Sequence, residues 1–89
     1  MIKEKTIYST ESHLLRDWMR QKRQQSGLSI RGVAAKLQWP HSIVGKMETG
    51  DRRIDFVEFL CYCEAVGADA SEAQALVINK IREKIARYK

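Results

Sequence analysis

Two short apolar stripes that flank a proline, within residues 30–49, constrain the fold of this chain more than any other feature. Apolar residues recur there at intervals of three and four, which is the spacing of one face of a helix. The inward positions are Val33, Ala34 and Leu37 in the first stripe, and Val44 and Met47 in the second. Ser29 can cap the first helix, and Pro40 is expected at the first position of the second, where it loses no hydrogen bond. The pattern predicts two short helices that cross at a steep angle, with the small Ala34 at the crossing.

A helix-turn-helix of this kind places the exposed face of its second helix in the major groove of DNA. The chain carries 16 Lys and Arg residues against 11 Asp and Glu, a net charge of +5, which alone says little about its partner. One of its basic groups, Arg31 to Arg53, flanks the second helix of the motif. The motif and these flanks together predict a protein that reads double-stranded DNA.

Helical spacing and capping signals continue through the rest of the chain and predict a compact all-α domain of five helices. We expect the first helix to begin at Glu11, with Thr10 or Ser12 as its cap, and to end at Gly27. Its outward positions are expected to be Arg16, Arg20 and Lys22. Residues 11–89 form the predicted domain, with the motif at 29–49. Residues 1–10 are expected to be a flexible or extended arm.

The last two predicted helices carry most of the remaining apolar residues. Asp55 is expected to cap the fourth helix in a box-like arrangement with Glu58, and Gly67 to end it. The apolar face of that helix is Phe56, Phe59, Leu60, Cys63 and Val66. The fifth helix is expected to start at Ser71 and to span residues 71–88. Trp18, Trp39, Phe56 and Phe59 are interpreted as core aromatics; for Trp39 the alternatives are that it covers the turn or touches a DNA sugar, and the core position is favoured.

Several classes of protein are not favoured by the sequence. No stretch approaches the about 18 consecutive apolar residues of a membrane span, and the first residues do not resemble a signal peptide. Cys61 and Cys63 lie two apart, so on a helix they point to different faces and cannot pair, and no zinc-ligand spacing is present. His13 and His41 stand alone. We therefore expect a cytoplasmic, nucleoid-associated protein with no enzymatic activity, metal, cofactor or small-molecule substrate.

Over roughly residues 14–68, the chain resembles the lambda-repressor-like, or Cro/XRE, helix-turn-helix domains of phage and bacterial regulators. The residues that carry the resemblance are Arg23, Gly27, Leu28, Ser29, Val33, Ala34, Leu37, Ser42, Val44, Lys46, Glu48, Gly50, Arg52, Arg53, Val66 and Gly67. The chain departs from the family at three positions. Ile30 replaces a glutamine that contacts phosphate, Gln38 replaces a glycine in the turn, and Gly45 lies inside the second helix of the motif. Gly45 either lets DNA approach closely or is a tolerated defect.

The resemblance implies a set of site residues. The base-reading positions are His41, Ser42, Gly45 and Lys46, with Ile43 either packing or touching a thymine methyl group. The phosphate contacts are Arg31, Thr49, Arg52 and Arg53, with Thr49 and Gly50 able to present backbone amides. Arg23 and Glu48 are implied to form a partly buried ion pair that orients the second helix.

One recognition helix makes few base contacts, so we expect a homodimer on a palindromic operator, with half-sites about 34 Å apart. The expected dimer interface is a stripe on the fifth helix, Val77, Ile78, Ile81, Ile85 and Tyr88, unless that helix packs only on its own domain. The amino-terminal arm can join this interface or lie along DNA. The leading hypothesis is a transcriptional regulator that acts as a repressor. The alternative is an antitoxin-like interaction module that also regulates its own gene.

Overall fold

The computed structural model describes residues 9–87, which form five α-helices in the order predicted. The helices are α1 (Thr10–Gln25), α2 (Ile30–Leu37), α3 (His41–Thr49), α4 (Phe56–Val66) and α5 (Ala70–Arg87). No strand occurs in the described range. The all-α prediction is therefore confirmed, whereas most of the predicted amino-terminal arm and Tyr88 lie outside the described residues.

The helices surround a single core to which every helix contributes. α1 contacts α3, α4 and α5, and α2 packs on α3 and α4. The buried apolar side chains are Trp18, Met19, Val33, Ala34, Val44, Met47, Phe59, Tyr62, Cys63, Ala65, Val66 and Ala73. The apolar stripes of α2 and α3 therefore both pack into the core as expected, and Ala34 is buried where α2 packs on its neighbours. Cys61 and Cys63 are both free thiols, and burial raises the pKa of Cys63 to about 11.

Local signals set most of the helix ends. The Ser29 hydroxyl accepts the Gly32 amide at 2.9 Å, and the Asp55 carboxylate accepts the Glu58 amide at 3.0 Å. Gly27 and Gly67 adopt the left-handed conformation that ends a helix, with φ of 79° and 70°. Gln38 adopts the same left-handed conformation, with φ of 58°, at the position where the family usually has a glycine.

Three predicted starts are wrong by one residue or more. The cap of α1 is Ser9, whose hydroxyl accepts the Ser12 amide at 3.1 Å. Pro40 precedes α3 as its cap rather than opening it, because its ψ of 135° is extended. Asp69, not Ser71, caps α5, because its carboxylate accepts the Ser71 amide at 3.0 Å. Serine and aspartate within a few residues of one another offer equivalent caps, and only the backbone geometry selects between them.

Two predicted orientations are also wrong. Arg16 was expected to face outward, but it is 3% exposed, because its guanidinium donates to the carbonyl oxygen of Met47 at 3.1 Å. Phe56 was expected in the core, but it is 70% exposed, because it occupies the first turn of α4, ahead of the part that packs on the core. Leu60, one turn later, is also partly exposed.

Polar contacts at two points attach α5 to α1. Near the start of α5, Glu72 accepts the indole N–H of Trp18 at 3.1 Å and pairs with Lys22 at 2.8 Å. Near its end, the buried Lys84 pairs with Glu11 at 3.0 Å. These contacts fix one face of α5 on its own domain and leave the opposite face outward.

Candidate nucleic-acid interface

The α3 helix has one buried face and one exposed face. Val44 and Met47 are fully buried and anchor the helix on the core, as the apolar stripe predicted. His41, Ser42 and Lys46 are exposed. Three polar side chains with hydrogen-bonding groups therefore lie together on the outer surface of a helix held from beneath by apolar contacts. This is the arrangement that the insertion of a helix into the DNA major groove requires.

Gly45 lies between these exposed residues and has no packing reason to be a glycine. Apart from its chain neighbours and the nearby backbone of α3 itself, a Cβ atom placed on Gly45 would meet no protein atom within 4 Å, and its φ does not require glycine. The fold itself therefore accepts a side chain at this position.

Ile43 and Trp39 lie at the edge of the same surface. Both are half-buried and packed against the core, so each retains some exposed area beside α3. The packing part of both interpretations is confirmed, and contact of either side chain with DNA stays a prediction.

The carboxyl end of α3 is joined to α1 by a bidentate ion pair. Arg23 Nε lies 2.7 Å from Glu48 Oε2, and Arg23 Nη2 lies 3.0 Å from Glu48 Oε1. The third donor of this guanidinium, Nη1, bonds the Leu28 carbonyl at 3.0 Å, which ties in the segment before α2. The hydrogen bonds to Glu48 raise the pKa of Arg23. The pair that the resemblance implied is therefore present, and together with the bond to Leu28 it connects α1, the segment before α2 and the end of α3.

Tyr62 of α4 completes this cluster from below. Its hydroxyl oxygen lies 2.7 Å from Glu48 Oε2 and 2.9 Å from the Met19 carbonyl oxygen, so its single proton can be donated to either acceptor. Burial, and then the bond to Glu48, raise the pKa of Tyr62. The role of Tyr62 could not be predicted, because tyrosine in a helical apolar stripe carries no signal for a partner 14 residues away.

Two arginines of α1, which were not predicted as site residues, contact the same end of α3. Arg16 donates to the Met47 carbonyl, and Arg20 Nη2 donates to the Glu48 carbonyl at 3.3 Å. Burial lowers the pKa of Arg16. The only signal for these residues was that Arg16, Arg20 and Arg23 recur at intervals of four and three, which places them on adjoining positions of one helix.

The predicted phosphate-contacting residues differ in their surroundings. Arg31 and Arg53 are exposed, on either side of α3 in sequence. Arg52, in contrast, is partly buried and donates to Glu58 at 2.6 Å. Only the Asp55 half of the predicted box-like arrangement is present, because the Glu58 carboxylate is bonded to Arg52.

The end of α3 offers less to a phosphate than its sequence implied. The Thr49 hydroxyl is exposed but donates to the Asp51 carboxylate at 3.0 Å. The Gly50 amide donates to the Lys46 carbonyl at 3.1 Å and is therefore used within α3. Of the predicted phosphate contacts, Arg31 and Arg53 are the two whose charge the structure leaves facing solvent.

A second surface, on α4 and α5, is apolar. Among residues 9–87, the large apolar side chains that are exposed all lie on α4 or α5, namely Phe56, Val57, Leu60, Leu76, Ile81 and Ile85. Two adjoining grooves share Leu15, Ile54 and Val77; one, of about 290 Å³, is also lined by Phe56 and Leu60, and the other by Ile81. Of the predicted dimer residues, Ile81 and Ile85 are exposed, and Val77 and Ile78 are half-buried.

Comparisons with known proteins agree with this architecture. The family described as "Helix-turn-helix domain" matches residues 14–76, which is more than two thirds of the chain. A solved structure, the XRE-family like protein from Pseudomonas syringae pv. tomato str. DC3000, is 29% identical, with a TM-score of 0.77. The match covers 84% of this chain and 92% of that one. No curated protein shows a significant match. None of the described helices combines the length and apolarity needed to cross a membrane. The chain belongs to the helix-turn-helix domains of the Cro/XRE type.

Proposed function

We propose that this protein is a sequence-specific, double-stranded-DNA-binding transcriptional regulator that reads base edges through α3. The observation that carries the proposal is the exposed row of His41, Ser42 and Lys46 on a helix whose opposite face is fully buried. Lys46 can donate to guanine O6 and N7, and both Ser42 and His41 can donate hydrogen bonds to base edges or accept hydrogen bonds from them. These side chains supply sequence discrimination, while nearby cations supply affinity.

The protein acts as a repressor by occupying an operator that overlaps a promoter. It does so as a homodimer, because two copies on a two-fold axis read both halves of a palindromic site. The two grooves beside α5, one between α4 and α5 and the other between α1 and α5, support this part of the proposal. An exposed aromatic, Phe56, lies beside a groove on the same face, so two copies can each insert Phe56 into the partner's groove. The proposed interface therefore includes the first turn of α4 as well as the predicted stripe on α5.

The phosphate contacts are tested by the salt dependence of binding. We expect Arg53→Ala to weaken binding to all duplexes alike and to lower the slope of log affinity against log salt by about 1 per binding protomer. Fluorescence anisotropy of a labelled duplex between low and high salt gives this slope. Arg52→Ala is expected to change the slope less, because the Arg52 guanidinium is bound by Glu58.

The matched control for this experiment is Arg82→Ala, which removes the same charge from an exposed position on α5. Its slope should equal that of the unchanged protein. Equal slopes for the Arg53 and Arg82 variants would show that Arg53 does not contact phosphate.

Gly45 gives a prediction with opposite signs for stability and binding. Gly45→Ala is expected to raise the free energy of unfolding by about 1 kcal/mol, because alanine favours the helix and the site has room for a methyl group. The same methyl group is expected to weaken specific DNA binding, because we assign Gly45 to a point of close approach by DNA. Urea denaturation and anisotropy measure the two quantities.

The control for Gly45 is the reverse change at an exposed helical position, Ala75→Gly, which should destabilise by a similar amount and leave binding unchanged. A Gly45→Ala protein that is more stable and binds as tightly as before would identify the glycine as a tolerated defect.

A further inference from the structure

The α3 helix has little stability of its own. It is only nine residues long, it contains Gly45, and no side chain caps its amino end. Helices this short are marginal in water, and an internal glycine weakens them further. Its order must therefore come from contacts with the rest of the domain, and these contacts decide how it is presented to DNA.

The carboxyl end of α3 is where such contacts concentrate. The last carbonyl groups of a helix have no donor within the helix and carry its partial negative charge. The guanidinium groups of Arg16 and Arg20 donate to two of these carbonyls, those of Met47 and Glu48, at 3.1 and 3.3 Å. The two arginines therefore satisfy both the hydrogen-bonding need and the charge of this helix end.

Both arginines are themselves held in place. Arg16 is buried, and its guanidinium lies 3.6 Å from the position that a Cβ atom on Gly50 would occupy, so it packs closely against the turn after α3. Arg20 pairs with Asp17 on its own helix at 3.1 Å. Because Arg16 is buried, it cannot act by touching a phosphate, and any effect it has on DNA binding must pass through α3.

We propose that Arg16 and Arg20 are positioning residues that set the orientation of α3 and thereby the base specificity of DNA binding, an inference that rests on the proposed function. Base contacts need side chains placed within hydrogen-bonding distance, whereas phosphate contacts by long side chains tolerate small shifts. A loosened α3 therefore loses affinity for the specific site and retains its affinity for unrelated DNA.

The test uses the whole protein with Arg16→Met and, because Arg16 is buried, a second variant at the half-exposed Arg20, Arg20→Gln. Affinities for a duplex selected from random sequence and for an unrelated duplex are measured well below the melting temperature of every variant. We expect the specific affinity to fall about tenfold or more, the nonspecific affinity to stay unchanged, and the salt slope to stay unchanged. Arg20→Lys keeps the charge and a donor and should recover part of the loss.

Amide hydrogen exchange of the free protein separates this inference from the proposed function. Exchange in α3 should rise roughly tenfold in both variants while exchange in α5 stays constant, and Gln21→Met, an exposed change on α1, should alter neither. Faster exchange throughout the protein would indicate general destabilisation and overturn the inference, as would a reduced salt slope, which would make Arg20 a phosphate contact. An unchanged protein that prefers no sequence would instead overturn the proposed function.

Discussion

Replacing Glu48 by leucine is expected to lower the free energy of unfolding by about 3–5 kcal/mol, the cost of leaving one member of a buried ion pair alone. The Glu48 side chain is 3% exposed and receives two hydrogen bonds from Arg23, and its Oε2 lies 2.7 Å from the Tyr62 hydroxyl oxygen. Without it, the Arg23 guanidinium stays in a largely buried site with no counter-charge. Urea denaturation followed by circular dichroism measures the loss.

A double-mutant cycle separates the cost of a broken pair from the value of an intact one. Arg23→Met should destabilise strongly, but the combination of Arg23→Met with Glu48→Leu should cost less than Glu48→Leu alone, because no buried charge remains unpaired. Glu64→Leu, at an exposed position on α4, is the control and should change stability by no more than about 0.5 kcal/mol. Additive costs in the cycle would mean that the two charges do not depend on each other.

A charge placed on the apolar surface of α4 and α5 is expected to weaken operator binding by on the order of 100-fold or more, the usual gain from joining two binding modules. Phe56→Asp and Ile81→Asp both put a carboxylate where we propose that two copies meet. Phe56 is exposed in the single chain, so its replacement should leave the fold intact. Light scattering should give a dimer for the unchanged protein and a monomer for both variants.

Asn79→Asp is the matched control, because it adds the same charge to an exposed position of α5 that lies outside both grooves. It should remain dimeric and bind normally. Binding to a duplex that carries one half-site should be equal for all four proteins. An unchanged protein that is already a monomer at tens of micromolar would overturn the proposed dimer.

The helices of this fold follow from local sequence signals, and for that reason they could be predicted. Ser29 and Asp55 cap helices through bonds to residues three positions on, and Gly27 and Gly67 end helices through their own backbone conformation. Each of these interactions lies within one turn, so neighbouring residues determine it. The exposed face of α3 was predictable for the same reason, since Val44 and Met47 fix which side is buried.

The contacts between helices could not be predicted in this way. Arg16 bonds the carbonyl oxygen of a residue 31 positions away. From its position on the helix alone, a polar residue such as Arg16 is expected to face solvent. Phe56 has a large apolar side chain of the kind that is usually buried, but it is the first residue of α4 and lies outside the part of that helix that packs on the core. The ion pair between Arg52 and Glu58 depends on the path of the chain between them, which the spacing of the two residues in the sequence does not specify.

Base reading by α3 is tested by selecting binding sites from random duplex DNA with the unchanged protein and with Lys46→Ala in parallel. We expect the unchanged protein to select one palindromic motif, and the Lys46 variant to lose its preference at one symmetric pair of base positions while the others stay the same. A site preference that is identical in both selections, or no preference at all, would contradict base reading by α3.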